Sequence, residues 1–188
     1  MKRPVAVPLF FAAAFLIQLA VPAFMIARQE SVLREGKRFL FKTRPLDPYD
    51  AFRGRYIALS FDQEEVPAGV AKGVETGEKA YAVVRAGEDG FARIESVSRE
   101  RPPGSNYIEV RGGWTYGSNA HLRLPFDRFY MNEKIAPAAE HAYWQHSRRQ
   151  TNDAAAAVRV LNGAGVIENV YVGREPIAQF VTHAAQEK

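Results

Sequence analysis

The chain has 188 residues, a net charge of +4 and no cysteine, which sets the scale of one ordinary domain plus an appendage and excludes disulfides, thiolate metal sites and a cysteine nucleophile. Apolar residues make up 47% of it and aromatic residues 12%, enough for a real core. Basic and acidic residues are interspersed except between Arg34 and Arg44, so a concentrated nucleic-acid-binding face is not expected.

From Val5 to Ala27 the sequence reads VAVPLFFAAAFLIQLAVPAFMIA, uncharged and interrupted only by Gln18 as a strongly polar side chain. At ~1.5 Å per residue such a helix covers a hydrocarbon core of ~30 Å, so one membrane-spanning helix is expected, with Pro8 and Pro22 near its ends. The alternative is a cleaved signal peptide headed by Lys2-Arg3. Against it, the apolar run exceeds the ~7–15 residues of a signal core, and no small-x-small site closes it. Lys2 and Arg3 favour a cytoplasmic N-terminus, whereas Arg28, Arg34, Lys37, Arg38, Lys42 and Arg44 oppose it by simple count. A long following domain translocates largely regardless of charge, so the domain is expected outside the cytoplasm.

Ala27 to Gly36 contains good helix formers and extends the helix, which Gly36 then ends. Lys37 to Thr43 is a strand with Phe39 and Phe41 on one face and Arg38, Leu40 and Lys42 on the other. Its basic run reads either as the solvated side of an edge strand or as a contact for lipid headgroups. Asp47-Pro48 and Asp50 are turn chemistry, and Gly54 supplies a positive φ or a close backbone approach. Tyr56, Ala58 and Ser60 then alternate with Ile57, Leu59 and Phe61, a strand of period two.

The run Gly54-Arg55-Tyr56-Ile57-Ala58-Leu59-Ser60-Phe61 resembles the signature of the GDYXXLXY family of bacterial membrane-anchored proteins, in which Gly54, Tyr56 and Leu59 match directly. Pro45-Leu46-Asp47-Pro48, Phe52-Arg53-Gly54 and the downstream Arg128-Phe129-Tyr130-Met131-Asn132-Glu133 are similar to the family's pattern in the same order. The resemblance implies a single-pass protein of the bacterial inner membrane, with relatives linked to multi-pass membrane proteins. Its motif residues, as a possible binding surface, are Asp47, Asp50, Arg53, Gly54, Arg55, Tyr56, Leu59, Phe61, Tyr130 and Glu133. Arg55 replaces the family's Asp, which removes any carboxylate role there. Phe61 replaces its final Tyr, which keeps the ring and drops the hydroxyl.

After an irregular connection over 63–77, Lys79–Arg85 and Phe91–Val97 form strands joined by a turn at Gly87-Glu88-Asp89-Gly90. Pro102-Pro103-Gly104 breaks the chain. Tyr107–Arg111 and Ala120–Leu124 are further strands, with a turn or bulge at Gly112-Gly113. Trp114, Tyr116 and Phe126 read either as core or as a ligand-stacking surface, and core is the favoured reading. A helix is expected from Glu133 or Lys134 to Arg148, capped by Asn132, with Ile135, Ala138, Ala139, Ala142 and Tyr143 on its apolar face. Its Glu140, His141 and His146 lack the one-face spacing of a helical zinc motif. Ala155–Leu161 and Val166–Val172 flank Asn162-Gly163-Ala164-Gly165 as a hairpin, Arg174–Ile177 extends the edge, and the tail is a frayed helix or disordered.

The expected protein is therefore mainly β (α+β): an anchor and juxtamembrane helix over 1–35, a curled-sheet or barrel-like domain with one packed amphipathic helix over 36–178, and a tail over 179–188. No serine sits in a nucleophile-elbow pattern and no glycine-rich loop has a phosphate-binding setting, so no cofactor or metal is assigned. The favoured function is a noncatalytic binding or assembly module partnered by the lipid bilayer and a multi-pass membrane protein. The alternative is a membrane-tethered hydrolase or peptidase.

Overall fold

The computed structural model describes residues 6–44, 56–147 and 153–186, and within the helices it leaves aside the side chains of 6–9, 12, 185 and 186. Helix α1 (Ala6–Glu35) leads into strand β1 (Lys37–Arg44). Strands β2 (Tyr56–Ala58), β3 (Ser60–Phe61) and β4 (Glu65–Pro67) follow, the last two separated by a single 3₁₀ turn over Asp62–Glu64. Next come β5 (Lys79–Ala86), β6 (Ala92–Ser98), β7 (Tyr107–Tyr116), β8 (Asn119–Arg123), β9 (Arg128–Tyr130) and helix α2 (Ala136–His146). The chain closes with β10 (Ala154–Leu161), β11 (Ala164–Val172), β12 (Glu175–Pro176) and helix α3 (Ile177–Gln186).

The strands form two five-stranded sheets, β12-β11-β10-β1-β3 and β4-β8-β7-β5-β6, with β2-β9 as a separate pair. These are open sheets, not the closed barrel that was one expectation. The expected single strand over 56–61 breaks at Leu59, whose N–H bonds the Asp127 carbonyl at 2.8 Å instead of a ladder partner. As a result β2 pairs with β9 while β3 pairs with β1, and the segment is divided between two sheets.

Both sheets contribute to one hydrophobic core, which takes in Phe41, Val158 and Val170 of the first and Ala82, Ile94 and Ile108 of the second. Phe41 of β1, Phe61 of β3 and Phe126 meet mutually edge-to-face, with centroids 5.4–5.8 Å apart, the arrangement favoured by the ring quadrupoles. Along β10 the alternation of burial disappears, because Ala154 through Val158 are all buried. On the outer face Ala157 lies between Leu40 and Asn169, and Ala155 between Lys42 and Tyr171, so larger side chains of the flanking strands cover the alanines. The hairpin turn into β11 places Asn162 and Gly163 at φ 49° and 91°, the positive-φ pair that a two-residue hairpin requires.

Of the two readings of Gly112-Gly113, β7 takes the bulge and runs on to a turn at Gly117. Two local expectations change. Helix α2 begins at Ala136, because Asn132 uses its side chain on the Lys134 N–H and its carbonyl on Ile135 and Ala136, forming a turn before the helix. The buried face is Ala136, Ala139, Ala142 and Tyr143, with Ala138 exposed. The tail also departs from expectation, since α3 buries Ile177 and Val181 and packs on α2.

Helix α1 joins the domain tightly. Gly36 ends it with its N–H on the Val32 carbonyl at 2.9 Å, Val32 is buried, and Arg159 of β10 donates to the Gly36 carbonyl at 3.1 Å. Arg159 and Arg38 both bind Glu168 of β11, and Arg159 first, despite some burial, holds that carboxyl below the usual range. Farther up, Phe10, Phe15, Phe24, Met25 and Ile26 are exposed. Among the described residues no helix is long and apolar enough to cross a membrane.

Candidate functional site

Two motif segments far apart in sequence become neighbours in the β2–β9 pair, where Tyr56 stands directly opposite Tyr130. Their ring centroids lie 5.4 Å apart, and the Arg128 guanidinium sits 5.2 Å above the Tyr56 ring. Arg128 shares a strand face with Tyr130 because they are two residues apart. A hydrogen bond with Tyr130, and then the Asp127 carboxylate, hold Arg128 above its ordinary pKa. Tyr130 remains 66% exposed, so this cluster presents a cation and an aromatic ring to solvent.

A family model described as "GDYXXLXY protein" matches residues 18–170. The chain belongs to the GDYXXLXY family. No curated protein and no solved structure matches it.

Within the GDYXXLXY signature, side chains divide by depth. Leu59 and Phe61 are core residues, Tyr56 is half-buried, and Tyr130 and Glu133 are exposed. The remaining motif residues Asp47, Asp50, Arg53, Gly54 and Arg55 lie outside the described residues. Of the earlier ligand-stacking trio only Phe126 is core, whereas Trp114 is 56% and Tyr116 79% exposed, so the core reading fails for both. Their strand continues past the glycine bulge into a hairpin tip where both side chains stay exposed.

The surface around Tyr130 opens into a trough. One cleft of about 420 Å³ is lined by Gln29, Asp127, Arg128, Tyr130 and Val166, among others. A second, of about 360 Å³, is lined by Met25, Arg28, Glu109 and Gly163. They share Gln29, Pro125, Gly165 and Val166, so the trough runs along α1. Gly165 leaves the space that the Phe126 ring fills, since a Cβ there would come within 2.5 Å of it.

Beneath the motif lies a polar cluster that the spacing of the sequence did not reveal. Arg44 Nε donates to Ser60 Oγ at 3.0 Å, and its terminal nitrogens reach Glu64 at 3.2 Å and Glu65 at 3.0 Å. Ser60 in turn donates to Glu64 at 2.8 Å. Burial raises the Asp62 carboxyl, opposed by Lys42 and Arg44. A serine beside a carboxylate invites a nucleophilic reading, but a carboxylate held by an arginine is a poor base for a hydroxyl. The arrangement closes the ends of β1 and β3.

Tyr143 of α2 caps the cluster, donating its hydroxyl to the Arg44 carbonyl at 3.3 Å. Burial pushes it up to about 12 from 10.0. The folded protein therefore keeps this proton after the unfolded chain has released it, so stability falls as pH rises from about 10 through about 12, by on the order of 2–3 kcal/mol in total. Tyr143→Phe is expected to lose about 1 kcal/mol at neutral pH with the hydrogen bond and to lack this part of the alkaline decline. Denaturant unfolding of both proteins across that pH range checks the difference. Parallel alkaline slopes would remove Tyr143 as the cause.

Proposed function

We propose that this GDYXXLXY protein is a noncatalytic binding or assembly module of the bacterial inner membrane, anchored by α1 and acting with a multi-pass membrane protein. The observation that carries the proposal is the continuity from helix to surface. The apolar helix passes without a flexible linker into the domain, and the exposed Tyr130–Arg128 cluster borders the trough beside that same helix. A partner spanning the bilayer next to α1 would meet this surface as it emerges. For the anchor itself, the uncharged part of α1 from Ala6 to Ala27 gives roughly 33 Å of helix at ~1.5 Å per residue, against a hydrocarbon core of ~30 Å. The exposed Phe, Leu and Ile side chains along α1 suit lipid better than water.

The alternative, a membrane-tethered hydrolase or peptidase, would have to draw its nucleophile from a group such as Ser60, the serine that meets a carboxylate at 2.8 Å. The two readings separate in one set of experiments. Full-length protein carrying a photo-crosslinking amino acid at Tyr130 is irradiated in intact membranes and then purified. The expected result is an adduct with a multi-pass protein that resists alkaline carbonate extraction, with Ser60→Ala crosslinking as the wild type does. Recovery of the chain alone would overturn the partner model. Extraction by carbonate would overturn the anchor, and a hydrolytic activity abolished by Ser60→Ala without loss of folding would establish the alternative.

A further inference from the structure

The five-stranded sheet β4-β8-β7-β5-β6 carries a row of like charges across three of its strands. Lys79 of β5 lies directly opposite Arg111 of β7, and Arg111 lies directly opposite Arg123 of β8. Residues directly opposite share a face, and all three are exposed. Like charges in this position destabilise a sheet, so the row has no structural advantage over polar residues. Among the described residues only Lys79 of the three has a carboxylate partner, Glu109 at 2.8 Å. The Arg111 side chain donates to the Gly77 carbonyl at 3.3 Å, and the Arg123 guanidinium makes no hydrogen bond or ion pair with any described residue. The neighbouring acids are engaged elsewhere: Glu78 and Glu75 with Arg99, and Glu65 with Arg44.

Aromatic rings flank the row on the same hairpin. Trp114 is stacked on His121 at 5.3 Å and 14°, which fixes one ring face and leaves the other open, and Tyr116 stands beyond it at the tip. Cations matched to phosphates and Trp or Tyr at the polar boundary are the side chains a lipid interface selects. Position supports the same ligand. Glu109, two residues from Arg111, lines one cleft with Met25 and Arg28, so this part of β7 lies beside α1 where its uncharged sequence gives way to charge.

We infer that the Lys79–Arg111–Arg123 row, with Trp114 and Tyr116, is a binding surface for anionic phospholipid headgroups that lays the domain against the bilayer. The inference rests on the membrane anchor proposed above and adds a second, charge-dependent contact to it.

The test uses the full-length chain in lipid discs of phosphatidylcholine, alone or with a third replaced by phosphatidylglycerol, each containing a headgroup spin-labelled quencher. Trp114→Phe supplies the Trp144 background. Quenching of Trp114 is expected in the anionic discs, to fall when salt is raised, and to be weak in neutral ones. Arg111→Gln and Arg123→Gln should each weaken the docked population roughly fivefold, from the ~1 kcal/mol that one cation contributes at an anionic surface, while leaving the unfolding midpoint at or above the wild-type value. Equal quenching in both lipids, or variants that dock like the wild type, would overturn the inference with the anchor intact. Undocking by inorganic phosphate at matched ionic strength would instead identify a soluble phosphate ligand and also overturn it. Loss of the chain from the discs in carbonate would overturn the anchor and this contact with it, a result read separately from quenching.

Discussion

Phe41→Ala is expected to lower the stability of the domain by about 3–5 kcal/mol, the range for removing a large aromatic ring from a packed core. Phe41 is fully buried and its ring contacts those of both Phe61 and Phe126 edge-to-face, so its loss opens a cavity in the core that both large sheets share. The surroundings can collapse only poorly. Phe126 is seated over Gly165, and Phe61 is held by the pairing of β3 with β1. Denaturant unfolding of the full-length protein in detergent measures the loss, with Tyr116→Ala as an exposed control expected within about 0.5 kcal/mol of wild type. A loss at Phe41 below about 1 kcal/mol would mean that the three rings are not the centre of the core.

How much of this was legible in the sequence follows from which interactions are local. The period-two pattern placed Phe39 and Phe41 on the buried face of β1, and the Asn162-Gly163 pair gave the hairpin, because both depend on neighbouring residues alone. The break at Leu59 was hidden because it depends on the Asp127 carbonyl, far along the chain. For Trp114 and Tyr116 residue type points to the core, and only the glycine bulge and the hairpin tip decide that they stay exposed. α3 was missed as a docked element because its burial needs the face of α2. For the site, the two family segments were legible separately, and the Tyr56–Tyr130 pairing was not, since register between distant strands is a tertiary property. Arg128 was within reach of the pattern: two residues before Tyr130, it had to share its face.

Gly36→Val should separate α1 from the domain while the two large sheets remain folded. A Cβ at this position would stand 2.4 Å from the Val32 carbonyl oxygen and 3.2 Å from the Arg159 Cβ and the Val160 nitrogen. Two of those three obstacles are backbone, so no side-chain rotation relieves the clash. The Gly36 N–H would lose its bond to Val32, and the Gly36 carbonyl its bond from Arg159. Leaving such groups unpaired at a buried joint costs on the order of 1–3 kcal/mol each. Amide hydrogen exchange over Val32 to Leu40 is expected to accelerate at least tenfold, since ~1.4 kcal/mol already corresponds to that factor, with β5 and β7 unchanged. The same variant tests whether the joint matters to function. If the domain acts by holding the Tyr130–Arg128 surface beside α1, the crosslink from position 130 should disappear although the protein stays in the membrane and its core remains protected. A crosslink that survives an opened joint would mean that the partner binds the domain alone, and that the helix serves only to keep it at the bilayer.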